Sequence, residues 1–292
     1  MTISIIILLV LLCQIWFLSY FYPKQVIRRI DYVLRHCPEK EYPKLYPVSV
    51  DRINTIKLAF KYLNHFFALV GILLLAYFLF IVPDYNEHLN ILDDLPLLYG
   101  MTQFIPLFML ELLGFKHLKL MRQQNTETSR KAELQPRRLF DFVQPLHLLL
   151  AIITYIGFIA FELYISELTL NEDATVKIAT VTFVNIMFIV LAMVNLYGKK
   201  RDPYLDNAQR NKQTKFTLQS LLFVSIFLTL YLMAHSWVNI YELSYLEVII
   251  NSLYFQLIAL FSIGALLGRF KVEEMNFEVY KVDTKPASDN QL

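Results

Sequence analysis

The sequence predicts an all-α integral membrane protein of seven transmembrane helices, its N-terminus outside and its C-terminus in the cytosol. Three observations predict it. The chain of 292 residues is 56% hydrophobic and 18% charged, whereas a soluble domain carries about 25% charged residues. Seven apolar segments recur along it, each roughly 20 residues long and so able to cross a hydrocarbon core of about 30 Å. Finally, Lys and Arg fall almost wholly in the connections between spans one and two, three and four, and five and six, and in the C-terminal tail. The alternate connections hold acidic residues, with Lys177 alone beside them, at the mouth of span five. Basic loops are retained in the cytosol, and this alternation sets the orientation.

The first span, 2–22, has no basic residue before Lys24 and no A-x-A cleavage pattern, so it reads as an uncleaved anchor rather than a signal peptide. Trp16, Tyr20 and Tyr22 lie where an aromatic belt is expected at the cytosolic interface. An amphipathic helix over 24–37 follows. Val26, Ile27, Ile30, Val33, Leu34 and Cys37 share one face, opposite Lys24, Arg28, Arg29, Asp31 and Arg35. Such a helix lies in the interface, apolar face toward the acyl chains. Pro38, Pro43 and Pro47 then hold the chain extended.

The remaining spans form three hairpins in one orientation: 58–82 with 95–115, 142–165 with 175–197, and 216–238 with 246–268. Basic lead-ins precede them, at Arg52 and Lys57, at Arg137 and Arg138, and at Arg210, Lys212 and Lys215. Acidic turns follow, with Asp84, Glu87, Asp93 and Asp94, then Glu167, Glu172 and Asp173, then Glu242. The hairpins close on Gly and a base: Gly114 before Lys116, Gly198 before Lys199, Gly268 before Arg269. Hairpins of one orientation would make a parallel repeat about an axis along the membrane normal. Helix ends also select Gly and cations by themselves, since Gly suits the C′ position and a base suits the dipole. Asp202 and Pro203 read as the N-cap and first residue of a short helix. Trp237, Tyr241 and Tyr245 form the outer belt, and 269–292 a cytosolic tail. The connections are too short for a further domain of about 50 residues, so residues 1–292 make one polytopic domain.

Within this frame the polar residues at membrane depth are the candidate site. Gln103, Asn185 and Gln256 each lie about three turns before the closing Gly of a returning span. If the three returning helices face a common axis, these amides form a mid-membrane polar ring; otherwise they are interhelical glue. Pro106, just past Gln103, breaks span three and frees carbonyls there. Glu111 and Glu162 lie inside spans, where an ionisable group is costly and marks a functional site by default. Glu111 is a coupling group within reach of His65, His117 and His147, which lie near the cytosolic ends of spans two, three and four. That set is either a proton- or cation-responsive cluster or a packing salt bridge between helix ends.

Other chemistry is excluded on composition. HExxH, GxSxG, GxxxxGK[ST] and GxGxxG are absent, so no enzymatic activity is expected. Cys13 and Cys37 fall in different places and no Cys/His spacing suits zinc, so neither disulfide nor metal is expected. The histidines lie at one edge without paired spacing, which disfavours haem, and no cofactor is assigned. Seven spans with an outer N-terminus resemble the rhodopsin topology in helix count only, because span seven holds no Lys for a Schiff base. The basic residues are topology signals, so nucleic acid is not a partner. The expected function is transporter-like binding of a small solute or lipid at a mid-membrane polar site, in a cytoplasmic (inner) membrane. Anionic lipid is the expected partner at the cytosolic face. The alternative is a non-catalytic scaffold, sensor or accessory subunit that docks a protein through that basic face.

Overall fold

The computed structural model describes residues 2–80, 90–125, 137–198, 202–205, 207–243 and 245–281. Seven of its helices are long and apolar enough to cross a membrane, and among the described residues there is no strand. The chain thus has the construction of a helical membrane protein. The acidic turn expected around Asp84 and Glu87 lies outside the described residues, as do Lys199, Lys200 and the tail beyond 281.

The first helix does not stop where the apolar run ends. Helix α1 (Thr2–Gln14) passes through a π-helical stretch, Ile15–Phe21, directly into α2 (Tyr22–His36). The expected separate interfacial helix is therefore a continuation of span one. Pro23 cannot donate an amide proton, and an α-helix normally kinks there. Here the wider π turns precede it, with the Tyr22 amide reaching back to Phe17 O, so the helix runs on. The amphipathic face is used against protein, not acyl chains. Val33 and Leu34 pack on a cluster containing Cys37, Tyr42, Tyr46, Met121 and Tyr280, and Asp31 pairs with Lys57 at 2.7 Å.

Two other helices are also longer than a hydrocarbon core of about 30 Å requires. Helix α3 (Val50–Phe80) has 31 residues and α8 (Asn207–Ile240) has 34, lengths of about 46 and 51 Å at 1.5 Å per residue. Their basic lead-ins are thus helical turns. Span three is split into α4 (Asn90–Gln103) and α5 (Ile105–Gln124), with the break at Phe104 and Pro106 in the first turn of α5. Helices α6 (Pro145–Ile165) and α7 (Glu172–Tyr197) are spans four and five. Span seven comprises α9 (Tyr245–Ala259), a second π-helical stretch, Leu260–Gly264, and α10 (Ala265–Arg269). Asp202 does not start a helix. Its carboxylate accepts from the Tyr204 amide at 2.9 Å in a turn, and α8 begins at Asn207.

Two groups of spans result. Helices α1, α3, α4 and α9 pack on one another, while α6 and α7 pack on α8, which in turn packs on α9. The hairpin partners are not equivalent: α8 and α9 run together closely, whereas α6 and α7 touch little and meet chiefly through α8. The packing therefore lacks threefold regularity. The two described acidic-end turns do match. Leu168 donates to Leu163 O and Glu167 to Tyr164 O, and Leu243 to Val238 O and Glu242 to Asn239 O. With φ near 54° at Glu167 and 53° at Glu242, both are Schellman endings with Glu at the left-handed position usually given to Gly.

At the other end, Gly plus a base does not terminate helices as expected. Gly114 lies inside α5 and Gly268 inside α10; Gly198 alone ends its helix. Arginines from neighbouring segments satisfy the last carbonyls instead. Arg29 donates to Leu267 O at 2.6 Å and to Phe270 O, Arg210 to Gly198 O at 2.7 Å, and Arg137 reaches Leu196 O at 3.4 Å. A cation at a helix C-terminus also meets the negative end of its dipole.

What sequence reading took for a tail is partly folded. Residues 272–281 pack with 37–46 and 202–205 into a cap at this basic end. Tyr46 donates to Cys37 O at 2.5 Å and Tyr280 to the Asp202 carboxylate at 2.5 Å. Lys281 sits over the Tyr42 ring at 5.2 Å. Burial pushes the Tyr46 phenol up to about 12. Burial, with the Asp202 charge behind it, raises Tyr280 as well. Both phenols are held as neutral donors.

Candidate functional site: a lateral slot between helices α6, α7 and α8

The weak contact between α6 and α7 leaves a gap, and its walls follow helical periodicity. Leu148, Ala151, Ile152 and Tyr155 on α6, Thr182, Asn185, Ile186 and Ile189 on α7, and Leu218, Leu221, Leu222 and Ser225 on α8 line a cavity of about 390 Å³. Each set follows the i, i+3, i+4, i+7 spacing of one helix face. The volume lies within the range of about 300–1,000 Å³ usual for ligand pockets. Ala151 and Ala192 hold it open by being small. Ile152, Ile186, Ile189 and Met193 line the cavity and are also exposed, so it opens sideways toward the surface that faces lipid.

Besides Tyr197 at the basic end, four polar side chains interrupt these walls. Thr182 donates to Ile178 O at 2.7 Å, so its hydroxyl accepts from Tyr155 OH at 2.6 Å. Ser225 donates to Asn185 Oδ1 at 2.6 Å. The Tyr155, Thr182 and Ser225 protons are thereby committed to protein. The Asn185 Nδ2 protons have no partner among the described residues, and that amide borders the cavity. An uncompensated N–H in an apolar environment is costly, so it favours a ligand that brings an oxygen acceptor.

Charged groups lie farther along the same three helices, beyond the residues that line the slot. At the acidic end Glu162, 2% exposed, accepts from Ser236 at 2.5 Å and lies 3.7 Å from Lys177, which donates to Ser236 at 2.9 Å. This set joins α6, α7 and α8. At the basic end Arg137 also donates to Asn211 at 2.9 Å and lies against the Phe142 ring. Leu139, Leu196 and Tyr197 are the last lining residues there; Arg137 and Arg210 bond the carbonyls of Leu196 and Gly198 and do not themselves line the cavity.

The other expected residues are dispersed. The three amides do not form one ring. Gln103, 1% exposed, accepts from Gln14 at 2.7 Å and donates to Ser19 and Tyr99 at 2.9 Å each. This knot lies between the first and third spans, and Tyr99 donates onward to Phe67 O on α3 at 3.0 Å. Gln256 donates to Val10 O at 3.1 Å and to Ser252 at 3.3 Å. Each amide is used by a different helix pair, because packing in two unequal groups gives the returning helices no common axis.

The histidines do not cluster with Glu111 either. His65 is exposed and bonds Lys61 O of its own helix, His117 bonds Leu45 O at 3.1 Å, and His147 packs on Phe223. Glu111 is exposed on α5. Among the described residues, no three His, Cys, Asp or Glu side chains are grouped to hold a metal. Sequence reading missed Gln14, Ser19 and Tyr99. Gln14 alone carried a signal, as the single amide side chain in the first span. No protein-family model, curated protein or solved structure matches the chain.

Proposed function

We propose that this chain is a non-catalytic, lipid-binding membrane protein that takes a long-chain amphiphile from the bilayer into the slot between α6, α7 and α8. The observation that carries the proposal is the slot itself, with apolar walls, a lateral opening and one uncommitted amide donor, Asn185. Apolar walls alone give a lipid chain no preference over the bilayer, because acyl chains are already solvated by their own kind. The selectivity therefore rests on the polar contact, in which an oxygen of the ligand accepts from Asn185. The cytosolic face is assigned to the basic end by the distribution of Lys and Arg.

Mass spectrometry of the full chain purified in mild detergent tests this. Wild type is expected to carry a bound amphiphile, and Ala151→Phe and Ala192→Phe, which fill the slot, to lose it. Asn185→Leu is expected to weaken retention by about tenfold, the worth of one hydrogen bond of about 1.4 kcal/mol. Retention unchanged in both slot-filling variants would remove the proposal. A second reading, a docking platform for a protein partner, draws on the folded cap, which presents structured protein at the basic end.

A further inference from the structure

Resting on the slot reading, we infer that the ligand is an uncharged carbonyl lipid, an ester or ketone, held with its carbonyl at mid-membrane and its chain toward the basic end. The polar lining is gathered at one end of the slot. Toward the acidic end, Tyr155 is the last lining residue on α6 and Ser225 the last on α8, while Thr182 is the last on α7, one turn beyond Asn185. Asn185 stands thirteen residues from one end of α7 and twelve from the other, about 20 and 18 Å along the helix. The polar end of the slot is therefore at the middle of the membrane. In the other direction the α7 wall is apolar through Ile189, Ala192 and Leu196 until Tyr197.

Among the described residues no charged side chain lines the cavity. Glu162 and Lys177, farther along toward the acidic end, are already joined through Ser236. An ionised head at Asn185 would lie in an apolar environment without a counter-charge, far costlier than burying a neutral dipole. The group on offer is a donor. The Asn185 Nδ2 protons have no partner among the described residues, whereas the Tyr155, Thr182 and Ser225 protons are bonded to protein. A carbonyl oxygen has two lone pairs and no proton of its own to satisfy, so it meets this donor and leaves no polar group orphaned. A phospholipid also carries ester carbonyls, but bringing one to Asn185 would draw its phosphate from the interface toward the bilayer centre. An uncharged ester or ketone has no such group.

The test uses the full chain, delipidated in detergent, with radiolabelled methyl oleate and three competitors: 1-octadecene, oleate at pH 9 and dioleoyl phosphatidylcholine. Methyl oleate is expected to bind about tenfold more tightly than octadecene, as one hydrogen bond implies. Oleate should bind at least about tenfold more weakly than its methyl ester. Asn185→Leu should bring the ester and the hydrocarbon within about twofold of each other. The ratio is read within each variant, so a general loss of packing does not imitate the result. An ester bound no tighter than the hydrocarbon, or a ratio indifferent to Asn185→Leu, overturns the carbonyl contact. Oleate bound as tightly as its ester overturns the requirement for an uncharged ligand. Phosphatidylcholine displacing methyl oleate at equal concentration overturns the placement of the carbonyl at mid-membrane. Each of these failures leaves the slot reading standing if Ala151→Phe and Ala192→Phe still abolish methyl oleate binding. If both variants bind methyl oleate as wild type does, the slot reading falls too.

Discussion

Spans one and five are both strongly apolar, yet they are used in opposite ways. Of the apolar stretch of span one 39% is buried in protein, against 6% in span five. Span one is enclosed by α3, α4 and α9, and its polar residues, Gln14 and Ser19, meet Gln103 and Tyr99 in a buried knot, shut away from any ligand although Gln14 Oε1 has no partner there. Span five leans on α8 and leaves its other faces to the membrane, with Asn185 half-satisfied beside an open slot. Hydropathy says that a helix can enter a bilayer. Whether it then packs or yields a binding surface is decided by where its few polar groups find partners.

The strongest way to break this contrast is to remove one amide from each region. Gln103→Leu strips hydrogen bonds from three buried partners and should cost about 2–4 kcal/mol, read as a fall in thermal midpoint in detergent. Asn185→Leu should cost about 1 kcal/mol or less, since Ser225 alone loses its partner. Equal losses would mean that the two regions are not differently built.

Glycine gives the next contrast. A Cβ on Gly71 would strike the Tyr99 hydroxyl and Ile15, whereas one on Gly157 of α6 meets nothing within 4 Å. Gly71→Ala should therefore destabilise by about 1–3 kcal/mol. Gly157→Ala should be neutral or stabilise by up to about 1 kcal/mol through helix propensity. A stabilising Gly71→Ala would show that the knot is looser than described.

At the acidic end, a double-mutant cycle of Glu162→Gln and Lys177→Met should give a coupling of about 0.5–1.5 kcal/mol. A coupling near zero would leave Ser236 as the group joining α6, α7 and α8. The smallest and most local effect is at the cap. The folded state favours the neutral Tyr46 phenol, whose ordinary value is near 10 and which is pushed to about 12. Its contribution is complete below pH 10 and is lost as pH rises through 12. Ultraviolet titration should show a late-ionising tyrosine class, removed in part by Tyr46→Phe, with the α6–α8 region unchanged.

Much of the fold was legible because transfer from water to lipid is a bulk property of composition. All seven spans were readable, and so was the break near Pro106, since proline acts locally. The helix ends were less readable. Gly114 and Gly268 look like terminators, but the membrane favours continued internal hydrogen bonding, and the actual caps come from distant arginines such as Arg29 and Arg137. The amide ring failed for a related reason. Depth in the membrane can be counted along a sequence, while the azimuth of Gln103, Asn185 and Gln256 depends on which helices become neighbours. Asn185 was identifiable as a polar group at depth. Its slot was not, because a gap between α6 and α7 is a property of packing that neither helix encodes alone.

A density map of the wild-type chain in lipid nanodiscs tests the central claim most directly. An elongated feature should fill the slot, touching Asn185 and lying beside Ile189 and Leu222. Helices α6 and α7 closed on each other, with Ile152 against Ile189 and no ligand density between them, would contradict it.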